Sequence, residues 1–342
     1  PMSRSVLRSE IAEQPDVLAR LLVREGPNVR RIARALRRRD PRFVLIAARG
    51  TSDNAARYAQ YALGLACRLP VALAGPSLVT LYDSPPRLKG ALVIGISQSG
   101  RSPDVVETVA SARREGVPTL AIVNDPESPL ARAAADVIPL HAGVERSIAA
   151  TKTYTAQLLA VALLASALAP SRRHAEGLGA LPDAVAETLG VEGAARRAAA
   201  RIAKAARLVV LSRGLNYPTA HEIALKLKEL ALLDAEALSG ADFRHGPIAL
   251  AGPGLPAVVV SPPGTATGDD LAALAAELER RGSPVLLVGP RRRGSLPLPR
   301  LPELLSPIVA VVPGQLLAFH ASRARGLDPD APRGISKVTE TR

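Results

Sequence analysis

Glu222, Lys226 and Glu229 recur at i, i+4 and i+7, a spacing that brings two carboxylates and an ammonium to one face of a single helix. A carboxylate in such a row is a candidate general base, able to take a proton from a reacting carbon and return it. The same three residues also make an ordinary charged stripe on a helix surface, where i,i+4 pairs contribute only about 0.2–0.5 kcal/mol each. A second chemistry-bearing group lies far upstream in Ser97-Gln98-Ser99-Gly100-Arg101-Ser102. This hydroxyl-rich loop follows an apolar run and leads into Pro103-Asp104, the start of a helical pattern, so it offers side-chain donors and first-turn N–H groups to an anion such as phosphate. The alternative is that Ser102 simply caps the helix and the other serines are turn residues. Gly50-Thr51-Ser52 stands in the same position between an apolar run and a helix, and two such loops at one sheet edge favour an anion site.

The elements that must position these residues show an internal repeat. Phe43 to Ala48 is a short apolar run ending in Arg49-Gly50 and leading into a helix through Tyr61, and Leu208 to Ser212 repeats the plan, ending in Arg213-Gly214 before a helix around Thr219 to Leu233. Strand Ala91 to Ile96, helix through Arg114 and strand Thr119 to Val123 are likewise matched by strand Ala257 to Val260, helix through Arg281 and strand Val285 to Val288. The offset of about 165 residues in both cases indicates domain duplication. Continuous Val/Ile/Leu strands alternating with amphipathic helices predict α/β domains, each a doubly wound parallel sheet covered on both faces, with ligands at the carboxyl ends of the strands. The expected organisation is an N-terminal helical segment over 1–30, a first domain over 31–170 with the phosphate loops, a helical linker over 171–200, a second domain over 201–327 and a tail over 328–342.

With 342 residues, two cores are the natural prior, and the 2% aromatic content makes them aliphatic. The apolar stretches, Thr155 to Leu168 among them, fall short of the roughly 20 residues that span a bilayer, so no membrane partner is expected. Acids and arginines over Pro1 to Glu13 stand where a secretory signal needs an apolar segment, which predicts a cytoplasmic protein. The single cysteine, Cys67, excludes an internal disulfide and a multi-cysteine metal site. A formal charge of +13 invites a nucleic-acid reading, but the chain has only six lysines, and its scattered arginines lack the interleaved aromatics of single-strand binders. No nucleic-acid partner is therefore expected. His141, His174, His221 and His320 show no ligand spacing, and neither metal nor organic cofactor is predicted.

Taken in order, Glu10-Ile-Ala-Glu-Gln-Pro15, Gly50-Thr-Ser52, Ser97-Gln-Ser-Gly100, Ala150-Thr-Lys152, Ala224-Leu-Lys-Leu-Lys-Glu229, His245-Gly-Pro247 and Pro332-Arg-Gly-Ile-Ser-Lys337 resemble the sugar isomerase (SIS) family over nearly the whole chain, in particular the isomerase half of glucosamine-6-phosphate synthase and stand-alone deaminase-type relatives. The resemblance implies two tandem SIS, flavodoxin-like domains and a C-terminal tail that orders over the site on binding. It implies a hexose 6-phosphate substrate held by Gly50, Thr51, Ser52, Ser97, Gln98, Ser99 and Ser102, with Ile148 and Ala150 lining the pocket. Ala150 stands where the synthases carry a serine. The resemblance further makes Glu229 the general base, Lys226 its organiser, His245 the ring-opening histidine supplied across a homodimer interface, and Lys337 the amine that forms a Schiff base with the open-chain sugar. A Schiff-base lysine must be partly neutral, which burial near other cations favours. The glutaminase domain of the synthases, with its N-terminal cysteine nucleophile, has no counterpart in the sequence, so glutamine is not expected to supply nitrogen through this polypeptide.

The implied activity is conversion of glucosamine 6-phosphate to fructose 6-phosphate and ammonia, or the reverse. A related amino-sugar phosphate or a fructosamine 6-phosphate adduct would use the same residues. A non-catalytic hexose-phosphate sensor is the alternative of another class, and ammonia release separates it from an enzyme.

Overall fold

The computed structural model describes residues 5–337; the ends of the predicted 1–30 segment and 328–342 tail, at 1–4 and 338–342, lie outside the described residues. Val6–Ala12 forms α1 and Gln14–Arg39 forms α2. The first sheet is built from β1 (Phe43–Ala47), α3 (Thr51–Cys67), β2 (Val71–Leu73), α4 (Ser77–Thr80), β3 (Ala91–Ser97), α5 (Pro103–Arg114), β4 (Thr119–Val123), α6 (Pro129–Ala133) and β5 (Asp136–Pro139), followed by α7 (Lys152–Leu168). Then come α8 (Arg172–Leu189) and α9 (Glu192–Ile202). The second sheet follows as β6 (Arg207–Ser212), α10 (Tyr217–Ala231), β7 (Asp234–Ser239), α11 (Gly240–Arg244), β8 (Ala257–Val260), α12 (Gly268–Arg280), β9 (Val285–Gly289) and β10 (Leu296–Pro297), closed by α13 (Ser306–Ala324).

The two sheets are copies of one topology. Their strand orders, β2-β1-β3-β4-β5 and β7-β6-β8-β9-β10, are the same when read from the second strand of each, and every pairing is parallel. The duplicated, doubly wound α/β architecture expected from the repeat is thus present. In each sheet the chain runs from its first strand to one neighbour and then crosses to the other, which places a topological switch point between β1 and β3 and another between β6 and β8. The central strands β3, β4 and β8 are buried along their whole length, as continuous Val/Ile/Leu/Ala runs require when helices cover both faces.

Contacts divide the chain into two compact units that interleave in sequence. The first-sheet unit comprises 16–145, 152–175 and the end of the tail from Ser336; the second-sheet unit comprises 5–15, 146–151 and 176–335. The segment read as one N-terminal helical piece is therefore divided, because α1 packs on α13 in the second-sheet unit. The predicted helical linker is α8 and α9, of which the part from Glu176 onward belongs to the second-sheet unit, with α9 against α13.

At 22 residues and mean hydropathy 1.6, the segment Glu303–Ala324 is a helix long and apolar enough to cross a membrane, yet 94% of its apolar window is buried inside the second-sheet unit. The expectation of uniformly short apolar stretches is corrected here. α13 is apolar on all sides because α1, α9 and α10 surround it. Its closest approach is at Gly314, where a Cβ would stand 2.2 Å from Ile223 Cγ1 of α10, so only glycine lets the two helices meet.

Candidate functional site

The two phosphate loops predicted from sequence leave the carboxyl ends of β1 and β3, adjacent strands at the switch point of the first sheet. Arg49, just before Gly50, spans them: its Nε donates to Asp104 Oδ2 at 2.6 Å, and the Asp104 carboxylate is wholly buried in the first turn of α5. Asp104 Oδ1 also accepts from Val105 N at 2.8 Å. Sequence reading missed this clip, which cancels an acid that would repel phosphate at a helix N-terminus.

Within the β3–α5 loop, Ser97 Oγ accepts from Gly100 N at 3.0 Å and Ser99 Oγ from Arg101 N at 3.3 Å. Both oxygens serve as acceptors while each hydroxyl retains one O–H donor. Gly100 has φ +64°, and a Cβ there would lie 2.2 Å from Ser128 Oγ, so the tight turn demands glycine. Ser102 occupies the N-cap position of α5 but makes no side-chain capping bond, which removes the plain-cap reading of this residue. Ser52 Oγ accepts from Gln157 Nε2 of α7 at 2.9 Å, and Gly50 adopts φ +54° before α3. Thr51 and Gln98 are partly buried at the same edge. Hydroxyl-bearing loops and the first turns of two helices thus lie at the ends of adjacent strands, where an oxyanion cradle is expected.

The matching edge of the second sheet turns its hydroxyls inward. Ser261, Thr265 and Thr267, in the β8–α12 loop, direct their hydroxyls to the carbonyls of Gly268, Pro262 and Arg213 at 3.3, 2.9 and 3.5 Å. Asp270, in the first turn of α12, pairs with Arg213 at 3.0 Å and with Arg244 at 2.9 Å. Like Asp104 in α5, Asp270 is thus an arginine-paired acid in the first turn of its helix.

Glu222, Lys226 and Glu229 do share one face of α10. Lys226 Nζ lies 3.4 Å from Glu222 Oε1 and 2.5 Å from Glu229 Oε2. The surface-stripe reading fails for the first two, because Glu222 and Lys226 are 0% and 1% exposed while Glu229 remains 23% exposed. Burial works against the charge of Lys226, but the two carboxylates outweigh it and hold the ammonium above the ordinary lysine range. Lys226 is therefore a permanent cation that fixes its neighbours, and Glu229 is the member of the row with access to solvent.

Ile148 and Ala150, both half-buried, lie in a segment held by α1: Glu10 Oε1 accepts from Arg146 N at 2.6 Å and Glu10 Oε2 from Ser147 N at 3.1 Å. A buried amide relay supports the end of this segment, Gln14 Nε2 donating to Gln315 Oε1 at 2.8 Å and Gln315 Nε2 to Thr151 O at 3.4 Å. His245 sits exposed just after α11, its backbone N–H bonded to Asp242 O and followed by Gly246 at φ +124°.

The tail expected to order on binding is tied down by the chain's own groups. Asp330 caps α1, accepting from Leu7 N at 2.8 Å and Ser5 Oγ at 3.0 Å. Lys337 Nζ donates to Glu145 Oε2 at 2.7 Å, in the loop between β5 and α7. A buried carboxylate faces the Lys337 amine. No group of His, Cys, Asp and Glu among the described residues is arranged to hold a metal ion.

The SIS domain pattern matches residues 39–167 and 201–289, which span the first sheet and β6 to β9 of the second. The chain belongs to the SIS domain family. A glutamine–fructose-6-phosphate aminotransferase (isomerizing) of Mycobacterium tuberculosis is 35% identical over 96% of the chain and 56% of its own length. This SIS chain therefore spans little more than half the length of such curated relatives. Among solved structures, one from Silicibacter pomeroyi, designated a phosphosugar isomerase, superposes with TM-score 0.88 at 36% identity, covering 96% of this chain and 100% of that one. The C-terminal domain of the Francisella tularensis glucosamine–fructose-6-phosphate aminotransferase superposes with TM-score 0.86 at 27% identity, covering 97% and 99%.

Proposed function

We propose that this SIS protein is a sugar-phosphate isomerase that makes or breaks a carbon–nitrogen bond, interconverting glucosamine 6-phosphate with fructose 6-phosphate and ammonia. The observation that carries the reading is the Glu222–Lys226–Glu229 row, buried where it is structural and open to solvent only at Glu229. Support comes also from relatives named for the same hexose phosphates, the isomerizing aminotransferases.

In this reading the cradle after β1 and β3 takes the phosphate through Thr51, Ser52, Ser97, Gln98, Ser99 and Ser102, while Ile148 and Ala150 border the sugar. His245 gives and takes the ring-oxygen proton during opening, acting from a second copy of the chain. Glu229 then removes the C2 proton of the open-chain amino aldose and returns it at C1, leaving an imine at C2. Water adds to that imine carbon, and ammonia leaves as the ketone of fructose 6-phosphate forms. Lys226 orients Glu229, and in the reverse direction the Lys337 amine condenses with the C2 ketone of open-chain fructose 6-phosphate, releasing water, before ammonia displaces it at C2.

A second reading, in which the same chemistry serves as the isomerase part of a glutamine-dependent aminotransferase, is favoured by the coverage of only 56% of those relatives. The deciding experiment is ammonia and fructose 6-phosphate release from glucosamine 6-phosphate, with Glu229→Gln alongside. Release abolished by Glu229→Gln supports the deaminase. Absence of release, with fructose 6-phosphate still isomerised to glucose 6-phosphate, favours the aminotransferase part, and tight binding with neither reaction leaves a sensor.

A further inference from the structure

We propose that Glu145 is a positioning residue for the C-terminal tail, docking Lys337 at the edge of the first sheet that carries the phosphate cradle. The inference rests on the reading of Lys337 as the imine-forming amine.

Glu145 follows β5 and precedes α7. In a parallel sheet all strands end on the same side, so the loop after β5 lies at the edge from which the β1 and β3 loops also leave. The Glu145 side chain is 0% exposed, unusual for a glutamate unless it is held by donors. From α7, Thr153 N donates to Glu145 Oε1 at 3.1 Å and Thr153 Oγ1 to Oε2 at 2.8 Å, and Oε2 also accepts from Lys337 Nζ at 2.7 Å. Lys337 is 24% exposed, so the pair is largely desolvated, where a charge-assisted hydrogen bond holds best. A long lysine side chain loses much rotamer freedom when held, and a buried carboxylate that meets this cost beforehand delivers the amine to the sugar-binding edge already oriented.

The test uses the full chain and follows Lys337 directly. Reductive methylation of Lys337 without substrate, quantified by mass spectrometry, reports release of the amine, and borohydride trapping with fructose 6-phosphate reports imine formation. Glu145→Gln keeps an oxygen acceptor for Thr153 but removes the charge. It is expected to raise Lys337 methylation by roughly fivefold and lower trapping by about tenfold, with KM little changed. Glu145→Asp, which keeps the charge, should return both toward wild type. Thr153→Val, a milder loosening of the same carboxylate, should shift both readouts in the same direction as Glu145→Gln even where the latter folds poorly. Methylation and trapping at wild-type levels in folded Glu145→Gln and Thr153→Val would overturn the inference. If the wild type itself traps no sugar on Lys337, the imine reading fails, while the methylation rates still decide whether Glu145 docks the tail.

Discussion

Arg49 Nε and Asp104 Oδ2 stand 2.6 Å apart, joining the loop after β1 to the first turn of α5. The acid is fully buried and the base about half exposed, so the clip depends on an arginine that solvent can reach. Arg49→Ala leaves Asp104 charged and short of its partner, at an expected cost of roughly 2–3 kcal/mol. Urea unfolding measures that loss, and fructose 6-phosphate affinity should fall with it as the two loops separate. Unchanged affinity in a destabilised protein would show that the loops do not form one cradle.

The row on α10 separates structure from chemistry. Lys226→Met strands the buried Glu222 and should cost about 3–5 kcal/mol, whereas Glu229→Gln should leave stability within about 1 kcal/mol and abolish turnover. Unfolding curves and ammonia release measured on both variants check the division. Equal instability in the two would assign Glu229 a structural role only.

Gly314→Ala places a methyl against Ile223, and the resulting strain between α13 and α10 should cost roughly 1–3 kcal/mol. Gly179→Ala on α8, where a Cβ meets nothing within 4 Å, should instead be neutral or stabilising by up to about 1 kcal/mol. The difference in thermal midpoints between the two variants is the readout.

Acid should loosen the second-sheet unit through Glu192, which pairs with Arg8 at 2.6 Å and meets His320 at 3.1 Å. The hydrogen bond from Arg8 leads the causes that lower the Glu192 carboxyl, and burial leads those that lower His320. Both folded-state values lie below the unfolded ones, so the unfolded chain binds more protons and stability falls with falling pH. The contribution is present above the unfolded histidine value of 6.5, declines below it as His320 is driven to protonate, and declines further below 4.5 as Glu192 does. Glu192→Gln should flatten the acid limb of a plot of unfolding midpoint against pH; an identical limb in that variant would remove Glu192 from the account.

Because the hydroxyls at the second-sheet edge donate to backbone carbonyls, one hexose phosphate per chain is predicted despite the duplication. Calorimetric titration with fructose 6-phosphate should give a stoichiometry of one, and Asp270→Asn, by freeing Arg213 and Arg244, should add a second and weaker anion-binding event. Two equal sites in the unmutated protein would contradict this.

Strands β4 and β8 can be read from sequence to the residue, because burial on both faces leaves continuous aliphatic runs. The edge strands β2, β5 and β10 are short, and β7, though six residues long, is like them only partly buried, so nothing in composition marks them. α13 escapes as well, since Pro313-Gly314 in its middle reads as a turn until the contact with Ile223 explains it. In the site, the hydroxyl loops and the i, i+4, i+7 row were legible because each is a local pattern. Glu145, Glu10 and Asp104 were not, because a lone acid in a sequence does not show which distant N–H or ammonium it will meet.

By itself the sequence determined the duplication and the parallel α/β plan and marked the hydroxyl-rich loops as candidates, all consequences of hydrophobic periodicity and turn chemistry within a few tens of residues. Tertiary structure decided which charges are buried, how the hydroxyls of two equivalent sheet edges are bonded, and where the tail lysine rests. These depend on the desolvation and pairing of groups far apart in the chain, such as Lys337 and Glu145, and such energies exist only once the chain has folded.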